Sequence, residues 1–442
     1  MESTTIVALA SGHGVAGVAI IRLSGSHAKD IALKITKRQD LSVRYAHFCH
    51  FYYQHGAQLD SGVVLFFKGP HSFTGEDVVE LQCHGGALII KALIDTALAQ
   101  GATMAKPGAF TERAFLNGKL DLLQAEAVAD LIHAQSSAQA SAANASLQGA
   151  FSKRVHRLQQ QLEAVRIEVE AAIDFSEQAI PTEALSVLKS KIQKLHESLN
   201  TLLIDTARGV REQTGMHIVI SGPPNVGKSS LLNYLTQTET AIVTDIPGTT
   251  RDLLTAKFSH NGHVFTITDT AGLRETNDPV ERKGIDRARE AMGKADCIWA
   301  LHDLATGPDS EICDFQKSAV SQNTTVIKVG NKLDLVTKET DSDDDFKVSA
   351  KNGIGVSALL DHMCDIFFTG DQDGAVFSAR SRHIIELERC KEHLHQAAQT
   401  ADAFDLVAEE MRLAQQALSS ILGAYGSENL LDAIFRNFCL GK

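Results

Sequence analysis

The 442-residue chain has no apolar run approaching the ~20 residues that a bilayer-spanning helix requires, so no membrane partner is expected. No basic residue precedes Arg22. The opening MESTTIVALASGHG therefore has neither the charged start of a secretory signal nor the arginine-rich pattern of an organelle transit peptide. Seven cysteines are scattered without a single C-x-x-C pair, which argues against a disulfide framework and a structural zinc site and points to a reducing, cytoplasmic setting. A surplus of positive charge is also missing. With 42 Lys and Arg against 54 Asp and Glu the formal charge is −12, and the field of the whole chain does not draw nucleic acid. Basic residues are diffuse (Lys153, Arg154 and Arg157 in one helical stretch, Lys189, Lys191 and Lys194 in another), so an RNA contact must rest on local patches or on a partner protein.

What is present divides the chain into four stretches. Residues 1–118 mix short β-like runs such as GVAIIRLSG, SGVVLFF and VVELQCHGG with glycine-rich turns, the pattern of an α+β domain. Residues 119–210 contain one proline, Pro181, and read as helix. Val155, Leu158, Leu162, Val165 and Val169 recur every three or four residues, the apolar stripe of a bundle helix. Residues 211–373 alternate β runs (MHIVISG, HVFTITD, CIWALHD, TTVIKVG, FKVSA) with helical patterns, as an α/β sheet domain does. Residues 374–442 return to helix. Neither helical flank has an obvious closed core alone, so the expected architecture is an all-α helical domain built from both flanks and interrupted by an inserted α/β domain, which the phosphate-loop motif GPPNVGKSS makes a P-loop (Ras-like) one. The acidic run DSDDD at 341–345 is expected to be a solvated loop.

The run MHIVISG leads into GPPNVGKSS, which fits G-x-x-x-x-G-K-[ST] through Gly222, Gly227, Lys228 and Ser229. The glycines let backbone N–H groups wrap a phosphate, Lys228 reaches the β- and γ-phosphates, Ser229 binds Mg²⁺, and the following helix adds its positive N-terminal end. Further segments follow in the order a G domain requires. TDIPGTTRD offers Thr250 as a second Mg²⁺ ligand. DTAG offers Asp269 for an Mg²⁺-bound water and Gly272 for the γ-phosphate. In NKLD (Asn331, Lys332, Asp334), the Asp334 carboxylate can accept from the N1–H and N2–H₂ of guanine, donors that adenine lacks. SAK (Ser349, Ala350, Lys351) supplies the Ala350 N–H for the guanine O6. The expected contacts thus comprise Asn225, Val226, Gly227, Lys228, Ser229 and Ser230; Thr244, Asp245, Ile246, Pro247, Gly248, Thr249 and Thr250; Asp269, Thr270, Ala271 and Gly272; and the two base loops.

One residue is absent where many GTP switches place a water-orienting glutamine: Leu273 follows DTAG, and its side chain can neither donate nor accept. Arg274, Glu275, Asp278, Glu281 and Arg282 lie nearby, and charge alone does not rank the two glutamates.

GPPNVGKSSLLN, TDIPGTTRD, DTAGLRE, VERKG and the ending FRNFCLGK together resemble the tRNA-uridine modification GTPases of the MnmE type. IIRLSG, FTGEDVVELQCHGG and PGAFTERAFLNGKLDLLQAEAVADLI resemble the same family, so the likeness covers almost the whole chain. The resemblance implies a tetrahydrofolate-binding N-terminal domain that forms a homodimer, a helical domain interrupted by the G domain, and a FAD-containing partner protein in a heterotetramer. It implies addition of a carboxymethylaminomethyl or aminomethyl group to C5 of the wobble uridine of certain tRNAs, with 5,10-methylene- or 5-formyl-tetrahydrofolate as carbon source. It further implies hydrolysis when two G domains meet, with K⁺ held by Asn225, Thr244, Ile246 and Thr249 taking the role of an arginine finger, and Glu281 of VERKG orienting the water. Folate contacts would fall on Arg22, Glu80, Lys119 and Lys442, with a chemical role open to Cys439. Pro223 and Pro247 depart from the family, which often has Arg and Ala there. Two other classes share some of these features. A lipid-anchored switch is suggested by the position of Cys439, but Lys442 is a poor last residue for prenylation and no polybasic run precedes it. A ribosome-assembly GTPase would need an RNA-binding module, and none is visible.

Overall fold

The computed structural model describes all residues except 1–3, 13, 175–181, 239, 242–253, 270–289, 308–323, 337–343, 369–375, 402, 424–427, 437 and 440. The chain forms two compact units: residues 1–132, 146–203 and 382–442, and residues 133–145 with 204–381.

In the first unit six strands form one sheet in the order β3-β4-β5-β2-β1-β6, where β1 is Ile6–Leu9, β2 Ala16–Ser24, β3 His47–Tyr52, β4 Gln58–Phe67, β5 Val78–Gly85 and β6 Thr103–Met104. Only β1 and β6 pair in parallel; the other neighbours are antiparallel. Alternation along the strands sends one set of side chains inward. Ile21 and Leu23 of β2, Cys49 and Phe51 of β3, and Leu81 and Cys83 of β5 pack under α1 (Ala28–Thr36) and α2 (Ala87–Ala99), while Phe48 stands outward at 66% exposure. Ile6 and Ala8 face the other way, onto Phe110 of α3 (Ala109–Leu116).

The helical part follows from α4 (Leu122–His133) onward. All five stripe residues are buried in α6 (Ala150–Asp174). That helix is cross-linked to α11 (Phe404–Leu422), where Gln159 donates to Ser419 Oγ at 2.9 Å and Arg166 to Gln415 at 2.6 Å. Glu126 of α4 is buried and takes two bonds from Arg382 (both 2.9 Å) and one from His383 (3.0 Å), at the start of α10 (Ser381–Gln399). Burial works to raise the Glu126 pKa, but His383 and Arg382 together overcome it and hold the carboxyl far below its ordinary range. Ile434 and Phe435 of the last helix, α12 (Glu428–Phe435), and Phe438 just beyond it pack with Leu122 and Ala125.

The second unit holds α5 (Ser137–Leu147) up to residue 145 and the end of α7 (Thr182–Thr214) from residue 204, and is built on a seven-stranded sheet, β13-β12-β11-β7-β10-β9-β8. The five β-like runs seen in the sequence are β7 (Met216–Ser221), β10 (His263–Asp269), β11 (Cys297–Asp303), β12 (Thr325–Asn331) and β13 (Phe346–Lys347), all parallel to their neighbours within this set. β8 (Thr240–Ala241) and β9 (Leu254–His260) add an antiparallel edge. One face is covered by α8 (Lys228–Thr238) and α9 (Val356–Phe367) over a core centred on Trp299. Met292 and Ala295 pack on the opposite face. The acidic run is not uniformly solvated. Asp344 is buried against His302 at 3.1 Å, and Asp345, just before β13, accepts the Lys328 N–H of the neighbouring β12 at 2.7 Å, while 341–343 lie outside the described residues. Among the described residues no helix is long and apolar enough to cross a membrane.

Candidate functional site: a phosphate loop and a base-reading edge

Parallel strands place their carboxyl ends together, and the chain reverses side where β7 lies between β10 and β11, which opens a crevice there. β7 runs straight into the phosphate loop. Gly227 has φ +100, and the Asn331 amide nitrogen sits 2.3 Å from where a Cβ would stand, so only glycine fits. Asn225 is held at φ +62, a left-handed conformation that a non-glycine residue adopts at a cost. Pro224, Asn225, Gly227, Lys228, Ser229, Ser230 and Asp269 line a cavity of about 450 Å³. Lys228 is buried and its ammonium donates to the carbonyls of Gly222 (2.8 Å) and Pro223 (2.9 Å). Burial lowers its pKa, with Asp269 pulling the other way.

Ser229 Oγ donates to Asp269 Oδ2 at 3.0 Å, while Asp269 Oδ1 is buried with no hydrogen-bond partner among the described residues. Burial raises the Asp269 pKa, and Ser229 and Lys228 oppose that. A buried carboxylate oxygen without a partner beside a serine hydroxyl is an oxygen-donor set suited to a hard cation, so the residues fit Mg²⁺.

The base side is locked to the phosphate side by Asn331. This 1%-exposed residue donates to the Val226 carbonyl at 2.7 Å and accepts the Ala350 N–H at 3.0 Å. The Ala350 N–H, expected to meet the guanine O6, is thus directed at Asn331 in this structure. Asp334 accepts from Ser349 Oγ at 2.6 Å, and Lys332 donates to Asp303 at 2.8 Å. Lys351 is exposed. Thr244, Asp245, Ile246, Pro247, Gly248, Thr249, Thr250, Thr270, Ala271, Gly272 and Glu281 lie outside the described residues, as do Arg274, Glu275, Asp278 and Arg282.

The first unit gathers the other group of expected residues. Arg22 and Glu80 are directly opposed on β2 and β5 and pair through two hydrogen bonds of 3.0 and 2.8 Å. The Arg22 guanidinium also lies 5.6 Å from the Phe73 ring centre and 5.7 Å from that of Phe110. The chain's end is threaded in beside them. Gly441 has φ +91, and a Cβ there would stand 1.9 Å from the Leu9 carbonyl. The Lys442 carbonyl accepts from the Phe110 N–H at 3.3 Å. Burial lowers the Lys442 pKa, Arg22 adds to this, and Glu80 and Cys439 oppose it, so these four side chains share one electrostatic neighbourhood. Cys439 is exposed. Lys119 donates to the Pro70 carbonyl at 3.0 Å and packs on Gly75, which puts it on the loop that carries Phe73. Phe73 and Phe110 were not anticipated. The one signal for Phe73 is an aromatic in a glycine-containing loop, FTGED.

A phosphate loop at the switch point of a parallel sheet, with an Asn-Lys-x-Asp loop on the adjoining strand, has the arrangement of a P-loop GTP hydrolase. Residues 5–119 match the family described as GTP-binding protein TrmE N-terminus, and residues 122–439 that described as MnmE helical domain. The chain is 44% identical over 450 residues to the tRNA modification GTPase MnmE of Dichelobacter nodosus, covering 100% of both chains. It is 45% identical over 449 residues to that of Acinetobacter baylyi, covering 99% of this chain and 97% of the relative. The chain belongs to the MnmE family of tRNA modification GTPases. Among solved structures, an Era variant of Aquifex aeolicus bound to GDP and AlF₄⁻ is 22% identical over 40% of this chain and 66% of its own, with a TM-score of 0.30. The G domain of the T. maritima FeoB transporter is 22% identical over 34% of this chain and 97% of its own, with a TM-score of 0.28.

Proposed function

We propose that this GTP hydrolase of tRNA modification works in K⁺, through pairing of two G domains, and that with a flavoprotein partner it adds a carboxymethylaminomethyl or aminomethyl group to C5 of the wobble uridine. The observation that carries the nucleotide half is the Lys228–Ser229–Asp269 cluster joined to the base loop through Asn331. GTP entering the cavity offers Lys228 phosphate oxygens in place of the two loop carbonyls that it now holds, so the ammonium exchanges partners without leaving its buried position. Mg²⁺, when bound, neutralises charge on the β- and γ-phosphates. Ser229 and Asp269 would hold it, directly or through water, with Thr250 as the further ligand. Asp334 reads the two donors of guanine and has its carboxylate aimed by Ser349. Asn225 and the segment of Thr244, Ile246 and Thr249 would hold K⁺, and Glu281 would orient the water that Leu273 cannot.

We assign residues 1–118 to a folate-binding and homodimerising domain, 211–373 to the G domain, and 119–210 with 374–442 to the helical domain. The support for a folate site is the shared electrostatic neighbourhood of Arg22, Glu80, Lys442 and Cys439, with the Arg22 guanidinium close to the rings of Phe73 and Phe110. A carboxylate can accept from the two-donor edge of a pterin, and cations can hold the glutamate tail. Magnesium, potassium and a tetrahydrofolate derivative are thus the proposed cofactors, tRNA and a FAD-containing protein the partners, and the cytoplasm the location.

The decisive experiment is GTP turnover in K⁺ and in Na⁺, with the wobble modification of tRNA read in cells lacking the protein. Turnover should be much faster in K⁺, Asn225→Ala should lose the difference, and Glu281→Ala should cost roughly 10²-fold with GTP binding kept. Equal rates in both salts would remove the cation mechanism. A fully active Glu281→Ala would pass its role to Glu275 or Asp278, and unchanged tRNA modification would end the wobble-uridine assignment.

A further inference from the structure

Asp303 ends β11 directly opposite Asn331 on β12, so the next residue of that loop, Lys332, leaves the sheet beside it. Lys332 adopts φ +66, in the left-handed region, and its ammonium meets Asp303 Oδ2, at the end of β11, at 2.8 Å. Both side chains are mostly covered, at 32% and 19% exposure. The pair is built rather than incidental. Asp303 Oδ1 accepts the Ala305 N–H at 2.9 Å, and its carbonyl accepts from Thr306 and Gly307, so the carboxylate is fixed before it meets the lysine. The bond from Lys332 is also the main reason that the Asp303 carboxyl lies below its ordinary range.

The Asn331 side chain is held by the Val226 carbonyl and the Ala350 N–H, and Asp334 by Ser349 Oγ, which leaves Lys332 as the long, rotatable member of the base loop. A lysine stem can cover the apolar face of a purine while its ammonium stays hydrated, but an untethered stem must be ordered when the base arrives, and that ordering weakens binding. We propose that Asp303 is a positioning residue for guanine nucleotides: it tethers Lys332 so that the stem stands ready as one wall of the base site. This rests on the guanine-site assignment above.

Asp303→Asn retains an oxygen for the Ala305 N–H and removes the charge facing Lys332. GTP turnover and GDP titration should give a KM and a Kd raised about three- to tenfold, with kcat unchanged, because base contacts are the same in ground and transition states. The unfolding midpoint of the nucleotide-free protein should not move. In a Lys332→Met background, which keeps the stem but lacks the charge, the same change at residue 303 should have no further effect. Asp303→Ser, which also accepts from Ala305, serves the same cycle should the asparagine variant not fold. An unaltered KM, or an equal loss in the Lys332→Met background, would overturn the proposal. Failure of the unaltered protein to bind GDP would overturn the guanine site itself.

Discussion

At the scale of single residues, the base loop makes the sharpest demand. Asp334 is oriented by a 2.6 Å bond from Ser349, so its second oxygen is directed without its own rearrangement. Asp334→Asn replaces an acceptor by a donor where guanine also donates. GTP affinity should fall about 10²-fold or more, and xanthine nucleotides, with a carbonyl in place of the amino group, should gain. A competition titration of GTP against XTP checks this, and retained GTP preference would remove Asp334 from the site. The motif was legible in the sequence because its residues are contiguous. Asn331's role was not, since its partner Val226 is 105 residues away.

Among elements, two packing arrangements carry predictions. The C-terminal tail reaches Arg22 and Glu80 only because Gly441 has no Cβ. Gly441→Ala would meet the Leu9 carbonyl and force a residue with a side chain into the left-handed region. Titration calorimetry should then show 5-formyltetrahydrofolate affinity reduced about tenfold or more, with GDP affinity unchanged. Equal folate affinity would place the tail outside the site.

The second arrangement is the α4–α10 junction. Glu126→Ala would leave Arg382 and His383 facing an empty space, at a cost of about 3–5 kcal/mol. The pH dependence has a definite sign. Glu126 is held below its unfolded pKa, so its contribution is fully present above about pH 4.5 and fades as the pH falls below that value. Thermal unfolding followed between pH 6 and pH 3 should show a steeper loss for the unaltered protein than for Glu126→Gln. Parallel curves would mean that the carboxylate is not held in its charged form.

On the scale of the whole molecule, two units with separate cores imply two ligand-linked stabilities. Calorimetric unfolding should resolve more than one transition. GDP at 100 times its Kd should raise the transition of the nucleotide unit alone, by about 2.7 kcal/mol, and 5-formyltetrahydrofolate should raise the other. A single transition shifted by either ligand would show that the units unfold as one. The charge of −12 belongs to this scale too. It makes tRNA recognition a matter of local patches or of the partner, so the isolated chain should bind tRNA weakly at physiological salt.

The sequence by itself determined whatever depends on neighbours along the chain. Strand runs followed from alternation, the α6 stripe from helical period, and the phosphate and base loops from glycine, lysine and aspartate at set spacing. These are short-range steric and hydrogen-bonding constraints that operate before any packing. Tertiary structure alone decided which distant groups meet. It paired Arg22 with Glu80 across two strands, buried Asp344 of an acidic run against His302, tied Lys332 to Asp303, and grouped residues 133–145 with the nucleotide unit. Burial and register create those meetings: a carboxylate in an acidic run reads as solvated until the strand beside it supplies a partner and excludes water.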